Sequence, residues 1–405
     1  MSQSQAWLER ADKSLMQNYG RSRVVMTRGE GCFVYDADGK KYLDLFAGFG
    51  GAILGHCHPD LVNAAAKQAQ QLWHVGNALH TIPQIEFAEK LQQHAFDGRA
   101  FFCHSGLEAN EAAVKLARLK GLGNGGKRWK TVSLVKSFHG RSLAMIAATG
   151  NPAVKDGFGP PVPGFVNVDP HDWAAIENAI DDDTACVILE PIQGEGGINL
   201  HPPGWVQRVR ELCDAHDITL IFDEVWTGCG RTGKWFAHQY EIDNRKSVSN
   251  CVEPDIMTLG KAVGGGLPVG VMYARPELAA LLTPGKHGCT LGGNPICMAV
   301  AKTIFEVIER DDLVAHAAKL GAHAIERFKY AKSIEHKIID VRGRGLFLGI
   351  ELAHEPADYA NRSLHAGLVT NVTSKKVLRL APPIDISASL WDEGIDRVIG
   401  LIETL

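Results

Sequence analysis

Residues 218–225 read ITLIFDEV and residues 254–261 read PDIMTLGK, and the fold follows from these two runs. Each is a short, almost wholly apolar stretch closed by charged residues, Asp223 in the first and Lys261 in the second. Apolar runs of this length without alternation mark strands buried on both faces of a parallel sheet. Three more lie upstream: RAFFCH at 99–104, KTVSLVKSF at 130–138 and ACVILE at 185–190. Amphipathic segments separate them, such as LEANEAAVKLARLK (107–120) and WVQRVRELCDAH (205–216). Alternating strands and helices predict an α/β fold with a mostly parallel sheet. Phe138, Glu190, Asp223 and Lys261 then stand at carboxyl ends of strands, the edge on which open α/β sheets bind ligands.

The flanks read differently. Before this region, GCFVYDADGKKYLDL (31–45) gives two strands around an Asp-Ala-Asp-Gly turn, hence an antiparallel hairpin. After it come two long helical patterns, ICMAVAKTIFEVIER (296–310) and LVAHAAKLGAHAIERF (313–328), then strands at GLFLGIEL (345–352) and KVLRLAPP (376–383) and a last helix. We expect residues 56–296 to form a large α/β domain. Residues 1–55 and 297–405 are expected to fold together as a smaller α+β domain.

At 405 residues the chain is long enough for two domains sharing one site. Its 45% hydrophobic and 22% charged residues are those of an ordinary globular protein, and a net charge of −4 points to neither nucleic acid nor an anionic membrane. No stretch approaches the roughly 18 uninterrupted apolar residues of a membrane span. The opening MSQSQAWLERADKS lacks the apolar core of a signal peptide and the acid-free pattern of a transit peptide. Nine cysteines without a CxxC suit reduced thiols, so a cytoplasmic protein is expected.

A carboxylate and an ammonium at neighbouring strand ends are costly to desolvate separately, so Asp223 and Lys261 form either a buried ion pair or a reaction site. In FFCHSGLEANEAAVKLAR (101–118) a strand, then Ser-Gly, leads into a helix that Ser105 can cap. The free N–H groups of Gly106, Leu107 and the following residues would converge on one point, suited to a phosphate. GLGNGG at 121–126 matches GxGxxG but follows a helix and precedes a strand, and Arg128 stands where a phosphate loop needs Ser or Thr; it reads as a linker. The run His56-Cys57-His58-Pro59 has no second cluster at zinc spacing, so a turn into the helix DLVNAAAKQAQQL (60–72) is expected and no metal. His139 could serve as a base by residue type, but beside Phe138 it reads better as support for the site.

Taken in order, RGEGCFVYDADGKKYLDL (28–45), LGHCHP (54–59), HSGLEANEAAVKLAR (104–118), FHGRS (138–142), LEPIQGEGGI (189–198), FDEVWTGCGRTG (222–233), DIMTLGKAVGGGLPVG (255–270), HGCTLGGNP (287–295) and VLRLAPP (377–383) resemble the class III, ornithine-type aminotransferases of pyridoxal-phosphate (PLP) fold type I. The resemblance implies PLP as cofactor and a homodimer with shared active sites. It implies that Lys261 bonds to the cofactor aldehyde and shuttles a proton, and that Asp223 pairs with the ring nitrogen. Phe138 and Val225 would cover the two ring faces. Ser105, Gly106 and Leu107 would contact the phosphate, and Thr290 would reach the phosphate of the neighbouring subunit. On the substrate side it implies Tyr19, Arg141 for the donor α-carboxylate, and a switching pair, Glu195 and Arg379, for the second carboxylate of glutamate or 2-oxoglutarate. The reaction implied moves an amino group from an acylated ornithine, N-acetyl-L-ornithine first, to 2-oxoglutarate in two half-reactions. Succinylornithine, ornithine and 4-aminobutyrate are the alternative donors. Two positions depart from the family: Trp226 replaces the usual Gln beside the cofactor's ring oxygen, and His104 replaces Asn before Ser105. An indole N–H aimed at that oxygen and a plain hydrophobic plug are both open readings of Trp226.

Overall fold

A computed structural model of the chain describes residues 3–242 and 251–405. Its centre is a seven-stranded sheet built from β1 (Arg99–Cys103), β2 (Lys130–Leu134), β3 (Phe165–Val168), β4 (Thr184–Leu189), β5 (Thr219–Asp223), β6 (Ile256–Leu259) and β7 (Gly270–Ala274). The order across the sheet is β1-β7-β6-β5-β4-β2-β3. Strands β6, β5, β4, β2 and β3 run parallel, and β7 alone is antiparallel to its neighbours β6 and β1. Every residue of β4, β5 and β6 is buried, which is why their sequences lack alternation.

The Gly106–Leu122 helix packs its alanine-rich side, Ala109, Ala112, Ala113 and Ala117, onto the sheet. Ser105 caps it, Oγ accepting from the Glu108 N–H at 3.3 Å. The glycine-rich segment beyond this helix is a connector. Arg128 donates there to the carbonyls of His216 and Asp217, at 2.7 and 2.9 Å. His58 likewise proves to be a cap: its Nδ1 accepts from the Asp60 N–H at 3.3 Å, ahead of Pro59–Gln71.

Two expectations need correction. Phe138 does not end a strand. β2 stops at Leu134, because Lys136 turns the chain with φ +65° and Gly150 packs onto Leu134, where a Cβ would lie 2.0 Å from its carbonyl oxygen. The strands β3 and β7 were not anticipated at all.

The hairpin Phe33–Asp36 and Lys41–Asp44 forms with a third strand, Met26–Glu30, on its outer side. Lys41–Asp44 also pairs in parallel with Leu368–Val369, so the first and last parts of the chain share a sheet. A second, antiparallel sheet contains Ile338–Arg344, Phe347–Leu352, Val377–Leu380 and Asn371–Thr373. The helix Leu313–Lys329 packs on this sheet and Ala388–Thr404 packs on that helix, joined by Trp391, whose indole donates to the Leu320 carbonyl at 3.1 Å. Among the described residues no helix is long and apolar enough to cross a membrane.

Candidate active site

Strands β4, β5 and β6 and the start of the Gly106–Leu122 helix deliver their ends to one cavity of about 410 Å³. Close backbone approach makes this possible. A Cβ on Gly106 would lie 2.5 Å from a Val225 methyl, and one on Gly260 would lie 2.9 Å from the Gly106 nitrogen. Glycine is therefore required at both positions.

Asp223, the last residue of β5, is buried and held from three sides. Oδ2 accepts from Asn110 Nδ2 at 2.7 Å and lies 2.8 Å from His139 Nδ1, while Oδ1 accepts from the Val225 N–H at 3.1 Å. Asn110 is itself fixed, donating to the His139 carbonyl at 2.9 Å and accepting from Thr258 at 2.6 Å. Glu190 follows β4 and ties two loops to the sheet, accepting from the Phe138 and Gly194 N–H groups at 2.8 and 2.9 Å. Burial, and then the charge of Asp223, pushes its carboxyl above the usual carboxylate range.

Lys261 sits two residues past β6 with φ +45°, a left-handed conformation that non-glycine residues adopt chiefly at functional turns. Its Nζ lies 4.3 Å from the centroid of the Trp226 ring. Burial lowers its pKa and Arg379 adds to that, against the raising charges of Glu195 and Asp223. An amine biased toward the neutral form is a competent nucleophile for an aldehyde.

Beyond Trp226 lies Arg379, from Val377–Leu380 and buried. Nη1 pairs with Glu195 at 2.9 Å and donates to the Gly194 carbonyl at 3.2 Å, and Nη2 donates to Asn371 at 2.8 Å. Trp226 is itself buried, stacked on Phe347 at 5.1 Å, and its indole N–H has no partner among the described residues. Arg141 lies at the mouth of the cavity, exposed, 5.5 Å from the Phe138 ring.

The cavity thus gathers Ser105, Gly106, Leu107, Phe138, Arg141, Asp223, Val225, Trp226 and Lys261. Glu195 and Arg379 adjoin it through Trp226. Thr290 and Tyr19 are exposed and do not line it; the Tyr19 ring lies 4.9 Å from Arg21 instead. His104 does line it, with Nδ1 3.1 Å from Glu108 and 3.3 Å from the Cys289 sulfur. Asn110 and Asn371 were missed from sequence. Glu190 was placed at the ligand edge, as a carboxylate closing a buried run, but was given no role there.

The donor set suits a phosphorylated aromatic aldehyde: a capped helix start for a phosphate, a buried acid opposite, apolar side chains between, and a lysine of lowered pKa. The Aminotransferase class-III family model matches residues 15–402.

The chain belongs to the class-III aminotransferase family.

Its relatives in this family include the acetylornithine aminotransferase of Methanocaldococcus jannaschii, 43% identical, covering 98% of this chain and 97% of the relative. That of Aquifex aeolicus is 40% identical, over 96% of this chain and 99% of the other. Among solved structures, the ornithine aminotransferase of Toxoplasma gondii superposes with a TM-score of 0.92 at 30% identity, covering 100% of this chain and 95% of that one; its active site holds PLP at partial occupancy. The acetylornithine aminotransferase of Elizabethkingia anophelis gives 0.86 at 31% identity, covering 99% of both chains. This class-III chain is a PLP-dependent aminotransferase, and its sheet with one reversed strand is the large domain of fold type I.

Proposed function

We propose that this aminotransferase takes the amino group of N-acetyl-L-ornithine and passes it to 2-oxoglutarate. The observation that supports this most is the buried Arg379–Glu195 pair. One pocket has to accept a dicarboxylate and an uncharged acylated side chain in turn, and a buried arginine left without a partner by the second would be strongly unfavourable. Glu195 answers that charge when the acylated donor is bound and moves aside for the second carboxylate of 2-oxoglutarate. The relatives named acetylornithine aminotransferase, at 40–43% identity, favour this donor. The structural neighbours named ornithine aminotransferase make unacylated ornithine the second reading.

When bound, PLP supplies an aldehyde to receive the amino group and an electron-withdrawing ring that acidifies the donor Cα–H. Ser105, Gly106 and Leu107 would hold its phosphate, Asp223 its ring nitrogen, and Phe138 and Val225 its two faces. Lys261 Nζ would be the point of attachment of the aldehyde, and once displaced by the donor amine it would be free to take the Cα proton and return it. Arg141 orients the donor α-carboxylate, and Tyr19 contributes on the substrate side. The enzyme works as a cytoplasmic homodimer in which the exposed Thr290 serves the phosphate of the neighbouring subunit. Residues 1–55 and 297–405 act in it as one small domain against 56–296, a division supported by the strand pairing of Lys41–Asp44 with Leu368–Val369.

Purified holoenzyme is given N-acetylornithine, N-succinylornithine, ornithine and 4-aminobutyrate with 2-oxoglutarate, and glutamate formation is followed. N-acetylornithine should show the highest kcat/KM. A higher value for ornithine or 4-aminobutyrate overturns the donor assignment.

A further inference from the structure

The switching reading leaves a physical question open. When Glu195 moves aside, Arg379 loses the one charged group it is bonded to, and its other acceptors, the Gly194 carbonyl and Asn371, are neutral. Its Nε has no partner among the described residues. A long side chain held so sparsely would pay in entropy for every dicarboxylate it meets.

Aromatic rings surround it. The guanidinium carbon lies 4.8 Å from the Trp226 ring, 5.2 Å from Phe46 and 5.9 Å from Phe49. All three are within the distance at which a ring face attracts a cation, and the attraction is strongest where water is excluded. Two further features show how closely the backbone is shaped around these rings. A Cβ on Gly50 would lie 2.5 Å from the Trp226 indole and one on Gly194 would lie 2.9 Å from it. Four successive residues, Ala47, Gly48, Phe49 and Gly50, have φ between +49° and +76°. Left-handed backbone persists at non-glycine residues only where the surroundings enforce it. Phe46 and Phe49, which flank and lie within this turn, both face the same guanidinium and meet each other edge to face, with ring centroids 4.6 Å apart.

We propose that Trp226, with Phe46 and Phe49, forms an aromatic enclosure that holds Arg379 in its binding pose after Glu195 releases it, and so sets the enzyme's affinity for dicarboxylates. The inference rests on Arg379 being the receptor for the second carboxylate. It makes Trp226 a positioning residue, acting through Arg379. Trp226 also lies against Lys261, so the same indole borders the cofactor lysine and the substrate arginine.

The test is steady-state kinetics of the holoenzyme in both directions with W226Q, W226F, F49L and R379Q. W226Q should raise KM for 2-oxoglutarate and for glutamate about tenfold, the effect of losing a well-desolvated cation–π contact. Its KM for N-acetylornithine should change less than about twofold, because Glu195 holds Arg379 in that half-reaction. W226F keeps a ring and should fall closer to wild type. F49L, at an exposed position, should raise the same two KM values in the same sense by about twofold to threefold. A purely structural role for Trp226 would move all three KM values or kcat together. Equal changes for donor and acceptor, or none, overturn the enclosure. If W226Q does not fold, W226F and F49L decide by the same ratio. If R379Q leaves the 2-oxoglutarate KM unchanged, the receptor reading of Arg379 fails. If R379Q raises it and the aromatic variants do not, only the enclosure fails.

Discussion

His139 Nδ1 lies 2.8 Å from Asp223 Oδ2, with both side chains buried. The backbone that carries this imidazole is held on both sides, its N–H donating to Thr149 Oγ1 at 3.0 Å and its carbonyl accepting from Asn110 Nδ2 at 2.9 Å. Asp223, the acid proposed to face the cofactor nitrogen, is held in one direction by His139, Asn110 and the Val225 N–H. Placing a negative charge against that nitrogen favours its protonated form, the opposite-charge effect on a pKa. Asp223→Asn keeps the shape and removes the charge. It should slow the donor half-reaction by about 100-fold or more while donor affinity changes little. Single-turnover absorbance traces measure this, and an unchanged rate removes Asp223 from the role. His139→Asn should cost less, since the charge remains.

The proposed mechanism makes Lys261 both the proton carrier and the point of covalent attachment. Lys261→Ala should lose at least about a thousandfold in turnover, because it removes both functions at once. Borohydride treatment of wild-type holoenzyme should leave the cofactor's mass on the peptide that contains Lys261. Turnover within tenfold of wild type, or the label on another lysine, would refute the assignment.

Glu195 and Arg379, paired at 2.9 Å, are the proposed gate. Glu195→Ala leaves the buried arginine without its charged partner. Affinity for glutamate and 2-oxoglutarate should rise, and use of the acylated donor should fall, by about tenfold in the ratio of kcat/KM values. Measuring both half-reactions checks this; an unchanged ratio eliminates the gate.

His201 offers a stability test away from the reaction. It stacks on Trp205 at 4.3 Å and contacts the Glu190 carbonyl through Nε2 at 2.9 Å. Burial holds its pKa down to about 4, from an ordinary value of 6.5. Between those two values the unfolded chain binds more protons than the folded one, so this residue's contribution falls as pH drops from 6.5 toward 4. Full loss corresponds to at most about 3 kcal/mol. His201→Gln keeps a donor for the carbonyl and cannot be protonated. Its thermal midpoint should fall less than that of wild type between pH 7 and pH 4.5, and equal falls would contradict the assignment.

Much of the sheet was legible because β4, β5 and β6 are buried on both faces and so leave unbroken apolar runs. β3 left no such mark, since three of its four residues are only partly covered. β7 is fully buried but runs opposite to β6, and direction has no counterpart in a strand's own residues. Within the site, the strand-end places of Lys261 and Asp223 and the helix cap of Ser105 could be read from chain position, while their roles came from the family resemblance. Asn110 could not, because it looks like any polar residue of an amphipathic helix until folding brings it to Asp223, 113 positions away. Asn371 meets Arg379 across neighbouring strands, a register that no local pattern encodes. The aromatic surroundings of Arg379 were hidden for the same reason, although the replacement of Gln by Trp226 marked the place.

The pairing of Lys41–Asp44 with Leu368–Val369 has a consequence for synthesis on the ribosome. The register joins Leu43 to Leu368, and the Ala381 N–H goes to the Leu45 carbonyl at 2.8 Å. Translation proceeds at about 5–20 residues per second, so the first hairpin emerges roughly 15–65 s before the strand that completes its sheet. During that interval its edge is open, the condition in which strands pair with the wrong partner. A chain of such long-range closure folds late and slowly, and its nascent form is a natural client for a chaperone that shields strand edges. Removing the last forty residues would make that temporary exposure permanent.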